Sequence, residues 1–76
     1  MKDVLETIIK SLASNKEEIS INQIDGEQSI IFEVRVADDD MGKVIGKQGA
    51  IAKSIRTIMK ALAAREGKRV SIEFLD

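Results

Sequence analysis

The fold of this chain is decided by the stretch Val44-Ile45-Gly46-Lys47-Gln48-Gly49-Ala50-Ile51, in which two glycines enclose a lysine and a glutamine. Glycine adopts positive φ angles cheaply and lets another backbone approach closely. A periodic helical segment follows, so the glycines form a tight loop at a helix start, where free N–H groups and the helix dipole suit an anion. The stretch predicts a phosphate-binding loop, and in so small a chain the expected phosphate belongs to a nucleic-acid backbone.

The Gly-x-x-Gly spacing alone is not specific, because glycines also form turns and helix caps that bind nothing. For a bare spacing of this kind the purely structural role is the commoner one. The order of the surrounding elements and the distribution of charge must therefore decide between the two interpretations.

Composition predicts a single domain over residues 1–76 with a small core. The chain has no cysteine and no histidine, which removes disulfides, thiolate chemistry, the usual general base and the commonest metal ligand. We therefore expect no catalytic residue, no metal site and no cofactor. The longest apolar run is 61–64, and residues 1–13 mix apolar and charged positions. This pattern predicts neither a membrane span nor a signal peptide, and it favours a cytoplasmic protein.

Charge is divided unevenly along the chain, although the formal net charge is only −1. Residues 1–40 carry a net charge of −6 and residues 41–76 carry +5. Between residues 43 and 69, eight cations are opposed only by Glu66. Such asymmetry suggests an anionic partner for the second half, and a solvated basic face that balances an acidic one is the other explanation.

The first half of the chain predicts a helix and a hairpin. Apolar residues at helical spacing indicate a helix over 3–13, with Asp3 and Glu6 as a capping box and residues 14–15 as its end. Alternating residues predict strands over 19–24 and 28–36. The second strand has Ile30, Phe32, Val34 and Val36 on its buried face. Asp25-Gly26 is expected to form the turn, since both residues tolerate positive φ.

Three consecutive aspartates, 38–40, follow the hairpin. Adjacent carboxylates do not converge on one metal ion as spaced ligands do. We interpret Asp38 as the N-cap of a short helix over 39–45, with Asp39 and Asp40 favouring the dipole of its first turn.

The segment after the loop predicts a long helix over 50–66 and a closing strand over 69–75. One side of the helix is expected to be apolar, with Lys53, Arg56 and Lys60 on the opposite side. The apolar side comprises Ile51, Ile55, Ile58, Met59, Leu62 and Ala63. Gly67 is well placed as a left-handed C-cap. The helical crossover predicts that the closing strand runs parallel to the second strand.

With these elements in this order, the chain resembles the KH RNA-binding family in its type II arrangement, which has an extra helix and strand before the core. The resemblance covers essentially the whole chain, and it rests on the Val-Ile-Gly-Lys-Gln-Gly run together with the order α-β-β-α-α-β. It implies an α+β fold, with a three-stranded mixed sheet covered on one face by three helices. It is nearest to small stand-alone bacterial KH proteins (KhpA-like), which are regarded as RNA-binding and sometimes as RNA chaperones.

Carried over residue by residue, the resemblance implies that Gly46, Lys47, Gln48 and Gly49 clamp the backbone of about four nucleotides of single-stranded RNA. The aliphatic residues nearest the loop would form the floor under the bases, and the others would belong to the core. The expected binding set is completed by Lys43, Val44, Ile45, Ile51, Ala52, Lys53, Ile55 and Arg56. Many KH loops have isoleucine three residues after the second glycine, where this chain has Ala52, preceded by Ile51. For Ile51 and Ile55, plain core packing explains the periodicity equally well.

Three function classes follow from the sequence. RNA binding explains the glycine pair, Lys47 and the charge asymmetry together. A protein-interaction or dimerisation module would keep the fold without reading RNA directly. An enzyme is disfavoured, because the loop lacks the Gly-x-x-x-x-Gly-Lys-Ser/Thr form of a nucleotide site. The resemblance further implies a homodimer, or a heterodimer with a larger Jag/EloR-type KH protein linked to cell elongation and division, formed through the short helix and the loop.

Overall fold

Three helices and three strands alternate in the order α-β-β-α-α-β in the computed structural model of the chain, which describes residues 1–75 and leaves Asp76 outside. The predicted α+β class and element order are confirmed. The elements are α1 (Lys2–Leu12), β1 (Ser20–Asp25), β2 (Ser29–Arg35), α2 (Asp38–Ile45), α3 (Ala50–Arg65) and β3 (Arg69–Leu75), with short 3₁₀ turns at Lys16–Glu18 and Lys47–Gly49.

The sheet has β2 at its centre, in the order β1-β2-β3. β1 pairs antiparallel with β2, and β3 pairs parallel with it, as the helical crossover predicts. Phe32 lies opposite Ile72 in this register, and Val34 lies opposite both Ile21 and Phe74. Because side chains alternate along a strand, these residues share the face of the sheet that packs against the helices.

The core lies between that face and the three helices. Leu5 and Ile9 of α1, Val44 of α2 and Met59 of α3 are fully buried, as are Phe32 and Val34 of β2. They belong to one cluster of twelve buried residues, which comprises Leu5, Ile9, Ile30, Phe32, Val34, Val36, Val44, Ile55, Met59, Ala63, Val70 and Ile72. The predicted mixed sheet, covered on one face by helices, is therefore confirmed. None of the helices within residues 1–75 combines the length and apolar character needed to cross a bilayer.

Two predicted local features, the capping box of α1 and the hairpin turn, are wrong. α1 begins after Met1 and has no side-chain cap, so Asp3 and Glu6 do not form a capping box. Positive φ angles in residues 1–75 occur only from Gly46 onwards, so Asp25-Gly26 turns without them. The hairpin closes instead through a hydrogen bond from the Gly26 N–H to the Ser29 carbonyl, at 2.7 Å, and its loop is wider than expected.

One residue of α3 departs from its predicted face. Ile58 is 46% exposed, whereas Ala52, which was not placed on the apolar side, is only 2% exposed. The buried arc is therefore centred on Ala52, Ile55, Met59 and Ala63, and Ile58 lies at its edge. The predicted C-cap is confirmed, because Gly67 has φ +70° and the Lys68 N–H donates to the Ala63 carbonyl at 2.9 Å.

Asp40 is the largest departure from the sequence interpretation. The N-cap of α2 is Ala37, so Asp38 is not the cap, and Asp40 is a buried residue and not a solvent-exposed first-turn charge. Its carboxylate accepts hydrogen bonds from the Ser14 N–H at 3.0 Å, the Asn15 N–H at 2.8 Å and the Asn15 side-chain amide at 3.1 Å. Lys43 Nζ lies 3.4 Å from Asp40 Oδ1. These contacts join the end of α1 to the first turn of α2.

The same contacts control the ionisation of Asp40. The backbone N–H groups of Ser14 and Asn15, followed by the Asn15 amide and Lys43, lower the pKa of Asp40 to about 2, against an opposing effect of burial. A carboxyl whose pKa is depressed in the folded state stabilises the fold above its unfolded pKa of 3.8. We expect that contribution to be lost as pH falls from about 4 towards 2.

The Asp40→Asn variant should therefore melt below the wild type at pH 7, because an amide lacks the charge and one of the two acceptor oxygens that the contacts use. The difference in melting temperature should shrink on acidification from pH 5 to pH 2. Thermal melting by circular dichroism across this range measures both effects. Asp39→Asn, at the exposed neighbouring position, serves as the control. A melting difference for Asp40→Asn that does not change with pH would contradict the lowered pKa of Asp40 in the folded state.

Candidate nucleic-acid interface

The loop between α2 and α3 is built from positive φ angles. α2 ends at Ile45, and Gly46 follows with φ +79° and ψ 174° while its N–H donates to the Gly42 carbonyl at 2.9 Å. A Cβ atom on Gly46 would lie 2.6 Å from Ile51 Cγ1, so only glycine fits there without movement of Ile51. Gly46 is thus required both by its φ angle and by the close approach of Ile51.

The remainder of the loop is a type I′ turn. Gln48 has φ 56° and ψ 27°, Gly49 has φ 76° and ψ 13°, and the Ala50 N–H donates back to the Lys47 carbonyl. These values match the two central positions of a type I′ turn, which favours Gly, Asn or Asp. Gln48 is the one non-glycine residue with positive φ within residues 1–75. The side chains of Lys47 and Gln48 are exposed at the tip of this turn.

Two backbone amides at this turn remain available. The N–H groups of Gly46, Gly49 and Ala50 donate within the protein. The N–H groups of Lys47 and Gln48 find no acceptor among residues 1–75. They lie directly before the N-terminus of α3, whose first turn carries no acidic residue. The exposed turn thus brings together the two free amides, the positive end of α3 and the Lys47 ammonium. This combination of groups suits an anionic oxygen.

The aliphatic residues around the loop divide into two groups by burial. Val44, Ala52 and Ile55 are at most 2% exposed and belong to the core. Ile45 and Ile51 are partly exposed and pack on the core from outside. Only the second pair presents apolar surface beside the loop, so Ile51 and not Ala52 is the accessible residue after the second glycine.

The cations near the loop also differ in availability. Lys43 is held beside the segment that follows α1, where its ammonium donates to Ser14 Oγ at 2.6 Å and lies near Asp40. Lys47 and Lys53 have exposed side chains. Arg56 lies over the outer edge of β3, where Nε and Nη2 donate to the Ile72 carbonyl at 3.3 and 3.1 Å. Of these cations, Lys43 and Arg56 are held by hydrogen bonds, whereas Lys47 and Lys53 extend from exposed positions.

Arg56 lines a groove that was not predicted from the sequence. Its guanidinium carbon lies 5.5 Å from the centre of the Phe74 ring, between α3 and the edge strand β3. Two adjoining cavities, of about 470 and 230 Å³, follow this groove and share Lys60, Val70 and Ser71 in their linings. The larger one is also lined by Lys68 and Arg69. Lys68 and Arg69 are recognisable as cations in the sequence, but only the parallel pairing of β2 and β3 places them beside α3.

Among residues 1–75, no group of three or more His, Cys, Asp or Glu side chains is placed to hold a metal ion. The polar groups of the site are amides, ammonium groups and a guanidinium, which are donors. Phe32 is fully buried, and Phe74 is half-buried against the core with Arg56 over one face of its ring. The arrangement can hold anionic oxygens next to a small aliphatic surface.

Comparison with known proteins gives consistent matches. The family model described as KhpA/KhpB, KH domain, matches residues 2–74. The chain is 57% identical over 75 residues to RNA-binding protein KhpA of Clostridium acetobutylicum, covering 99% of this chain and 100% of that protein. It is 52% identical to RNA-binding protein KhpA of Clostridium perfringens over the same shares. For RNA-binding protein KhpA of Aquifex aeolicus the identity is 43%, over 100% of this chain and 96% of that protein. No solved structure is a significant match.

The strained backbone of Gln48 gives a prediction about stability. Because L-residues other than Asn and Asp pay about 1 kcal/mol or more in the left-handed region, Gln48→Asn should stabilise the fold by several tenths of a kcal/mol. Gln48→Val should destabilise it by about 1–2 kcal/mol, since β-branched residues fit positive φ worst. Urea denaturation measures both, and equal midpoints for all three proteins would contradict the turn geometry.

Proposed function

The chain belongs to the KhpA/KhpB family of KH-domain proteins, and from this premise we propose that it binds single-stranded RNA through the loop Gly46–Gly49. The observation that carries the proposal is the convergence of two free amides, those of Lys47 and Gln48, with the Lys47 ammonium at the start of α3. Phosphate oxygens are the groups that such a set holds in RNA. The curated relatives are named as RNA-binding proteins, which supports the same class of ligand.

The surroundings of the loop favour a single strand. Ile45 and Ile51 offer a small apolar floor on which unstacked bases can rest, and KH loops hold about four nucleotides in this way. Modules that depend on open aromatic stacking use exposed Phe, Tyr or Trp, whereas here Phe32 is fully buried and Phe74 is half-buried with Arg56 over one face of its ring. In this proposal the contacts come from the loop, Lys53, Ile45 and Ile51, whereas Val44, Ala52 and Ile55 support the floor from below.

The test replaces the loop cation without touching its glycines. Lys47→Asp with Gln48→Asp changes the local charge by −3 at two exposed positions. Because phosphate would then meet two carboxylates, affinity for single-stranded RNA should fall at least about tenfold, or about 1.4 kcal/mol. Titration by fluorescence anisotropy measures affinity, and circular dichroism verifies the fold. For the wild type, log K against log salt should have a slope of about −2 to −3, as expected for three or four phosphate contacts.

The matched control is Lys2→Asp with Ser20→Asp, which also changes the charge by −3 but lies in the N-terminal half. It should bind RNA within about twofold of the wild type at physiological salt, since screening weakens interactions beyond about 8 Å. If the loop variant melts and binds like the wild type, the loop is structural and the RNA-binding proposal fails. Salt-independent affinity would favour the protein-interaction module.

We also propose that the chain acts as a small cytoplasmic RNA-binding regulator or RNA chaperone that pairs with itself or with a larger Jag/EloR-type KH protein. One family model covers both KhpA and KhpB, which is consistent with related KH surfaces in both partners. If the interface uses α2 and the loop, RNA and self-association should compete. Sedimentation velocity with and without saturating oligonucleotide measures this, and a dimer unchanged by RNA would locate the interface elsewhere.

A further inference from the structure

The two edge strands of the sheet differ in how they are protected. At the β3 edge, the Arg56 guanidinium donates to the Ile72 carbonyl. β1 forms the other edge. Proteins commonly block an edge strand with lysine, proline or a bulge. β1, with the sequence Ser-Ile-Asn-Gln-Ile-Asp, has no lysine and no proline, and it pairs with β2 residue by residue without a bulge. This edge is therefore open to the addition of a further strand.

The direction of the β1 backbone groups follows from the hairpin. Gly26 N–H donates to the Ser29 carbonyl at 2.7 Å, in line with the register of β1 and β2. Because bonded and non-bonded pairs alternate in an antiparallel ladder, the even-numbered residues of β1 bond to β2. The odd-numbered residues turn their N–H and C=O groups outward, and these are Ile21, Gln23 and Asp25. No hydrogen bond from a turn or loop within residues 1–75 reaches these groups.

A groove with cations lies between this edge and α1, and we call it the α1–β1 groove. Its volume is about 180 Å³, and it is lined by Glu6, Lys10, Lys16, Ile19 and Ile21. The two isoleucines are half-buried, and both lysines are exposed residues. Lys10 lies 4.0 Å from the Glu6 carboxylate, and Lys16 is near no carboxylate within 4 Å among residues 1–75. With two lysines against one glutamate in its lining, the groove favours an acidic side chain.

A second copy of β1 complements this edge. Side chains alternate between the faces of a sheet, so two strands match when odd-numbered residues lie opposite odd-numbered ones. The longest antiparallel register of this kind is centred on Asn22 and places Asp25 of one copy opposite Ile19 of the other. Asp25 is the one charged residue of β1, so like charges do not meet directly in the pair. Its side chain lies on the face of Ile19 and Ile21, which is the face of the α1–β1 groove.

We propose that two copies of the chain pair through β1, antiparallel and edge to edge, about a two-fold axis at Asn22. Each copy supplies Asp25 to the α1–β1 groove of the other, and the two three-stranded sheets become one continuous sheet. A net charge of −1 on each copy leaves little repulsion between them. The pairing uses no residue of α2 or of the loop Gly46–Gly49, and it does not depend on the RNA-binding function proposed above.

Because the chain contains no cysteine, a single introduced thiol reports the register. Asn22→Cys should form a disulfide-linked dimer, since Cα atoms of a non-hydrogen-bonded pair lie about 4.5 Å apart and disulfides span about 4.4–6.8 Å. Glu73→Cys is the matched control, exposed in the same row of the open sheet face but on β3. On mild oxidation, non-reducing electrophoresis should show dimer formation at least about tenfold faster for Asn22→Cys, because pairing raises the effective thiol concentration.

Two further changes test the backbone and the charges. Gln23→Pro removes an N–H that faces away from β2, so the chain should fold but self-associate at least about tenfold more weakly. Asp25→Lys and Lys16→Asp should each weaken self-association, and the two together should restore it. Within one copy these residues lie at opposite ends of a strand roughly 20 Å long, so restoration reports a contact between copies. Sedimentation velocity measures association, and circular dichroism verifies the fold.

Equal oxidation rates for Asn22→Cys and Glu73→Cys would overturn the proposal, as would a folded Gln23→Pro variant that associates like the wild type. If Gln23→Pro does not fold, the charge exchange decides, and a double variant that regains no association would overturn the pairing. A saturating RNA oligonucleotide should leave the β1 dimer intact, whereas a dimer dissolved by RNA would assign the interface to α2 and the loop. A wild type that dimerises through β1 but binds no RNA would contradict only the RNA-binding proposal.

Discussion

The carboxylate of Asp40 is the contact on which the arrangement of the site depends. It is the one polar side chain that is fully buried within residues 1–75, and three N–H groups from residues 14 and 15 converge on it. Those residues follow the end of α1, whereas Asp40 lies in the first turn of the helix that carries the loop at its other end. The N-terminal helix, whose buried residues are Leu5 and Ile9, is thereby given a defined position relative to α2. Burial of an ionised group is tolerated here because each oxygen has a donor.

The loop is then fixed from both sides. Asp40 anchors the first turn of α2, Val44 is buried in the core, and Ile51 packs against the backbone of Gly46 at the other end. Between these anchors, the chain reverses in a type I′ turn with a strained glutamine. Because such strain persists only where the surroundings determine the backbone, the free amides of Lys47 and Gln48 are presented in one orientation. A phosphate would meet donors that need no rearrangement before they bind.

Sequence patterns predicted most of this fold because the relevant signals are local. The alternation around Phe32 and the helical spacing around Met59 each have a period that only one type of element satisfies, so both were identified correctly. Asp40 was misread because its partners lie 25 and 26 residues away, and a carboxylate in a first helical turn looks the same with or without them. The exposure of Ile58 was misjudged for a related reason, since the width of a buried arc depends on which distant elements pack against the helix. The cavity lined by Lys60, Lys68 and Arg69 became visible only once β3 was paired with β2.

The two halves of the chain carry net charges of opposite sign, and this difference affects how the molecule can attract an anion. The N-terminal half, net −6, supplies α1, the hairpin and the aspartates, while the half with net +5 supplies the loop, α3 and β3. With a total charge of −1, the protein exerts little attraction on RNA beyond a Debye length of about 8 Å. In the proposed function, RNA binding would therefore depend on contacts at close range, and a loop that holds a few phosphates would give modest affinity. A second KH surface supplied by a partner would raise affinity by linking weak sites on one strand. The acidic half would disfavour an approach of RNA from the α1 side and would favour contacts on the side of the loop.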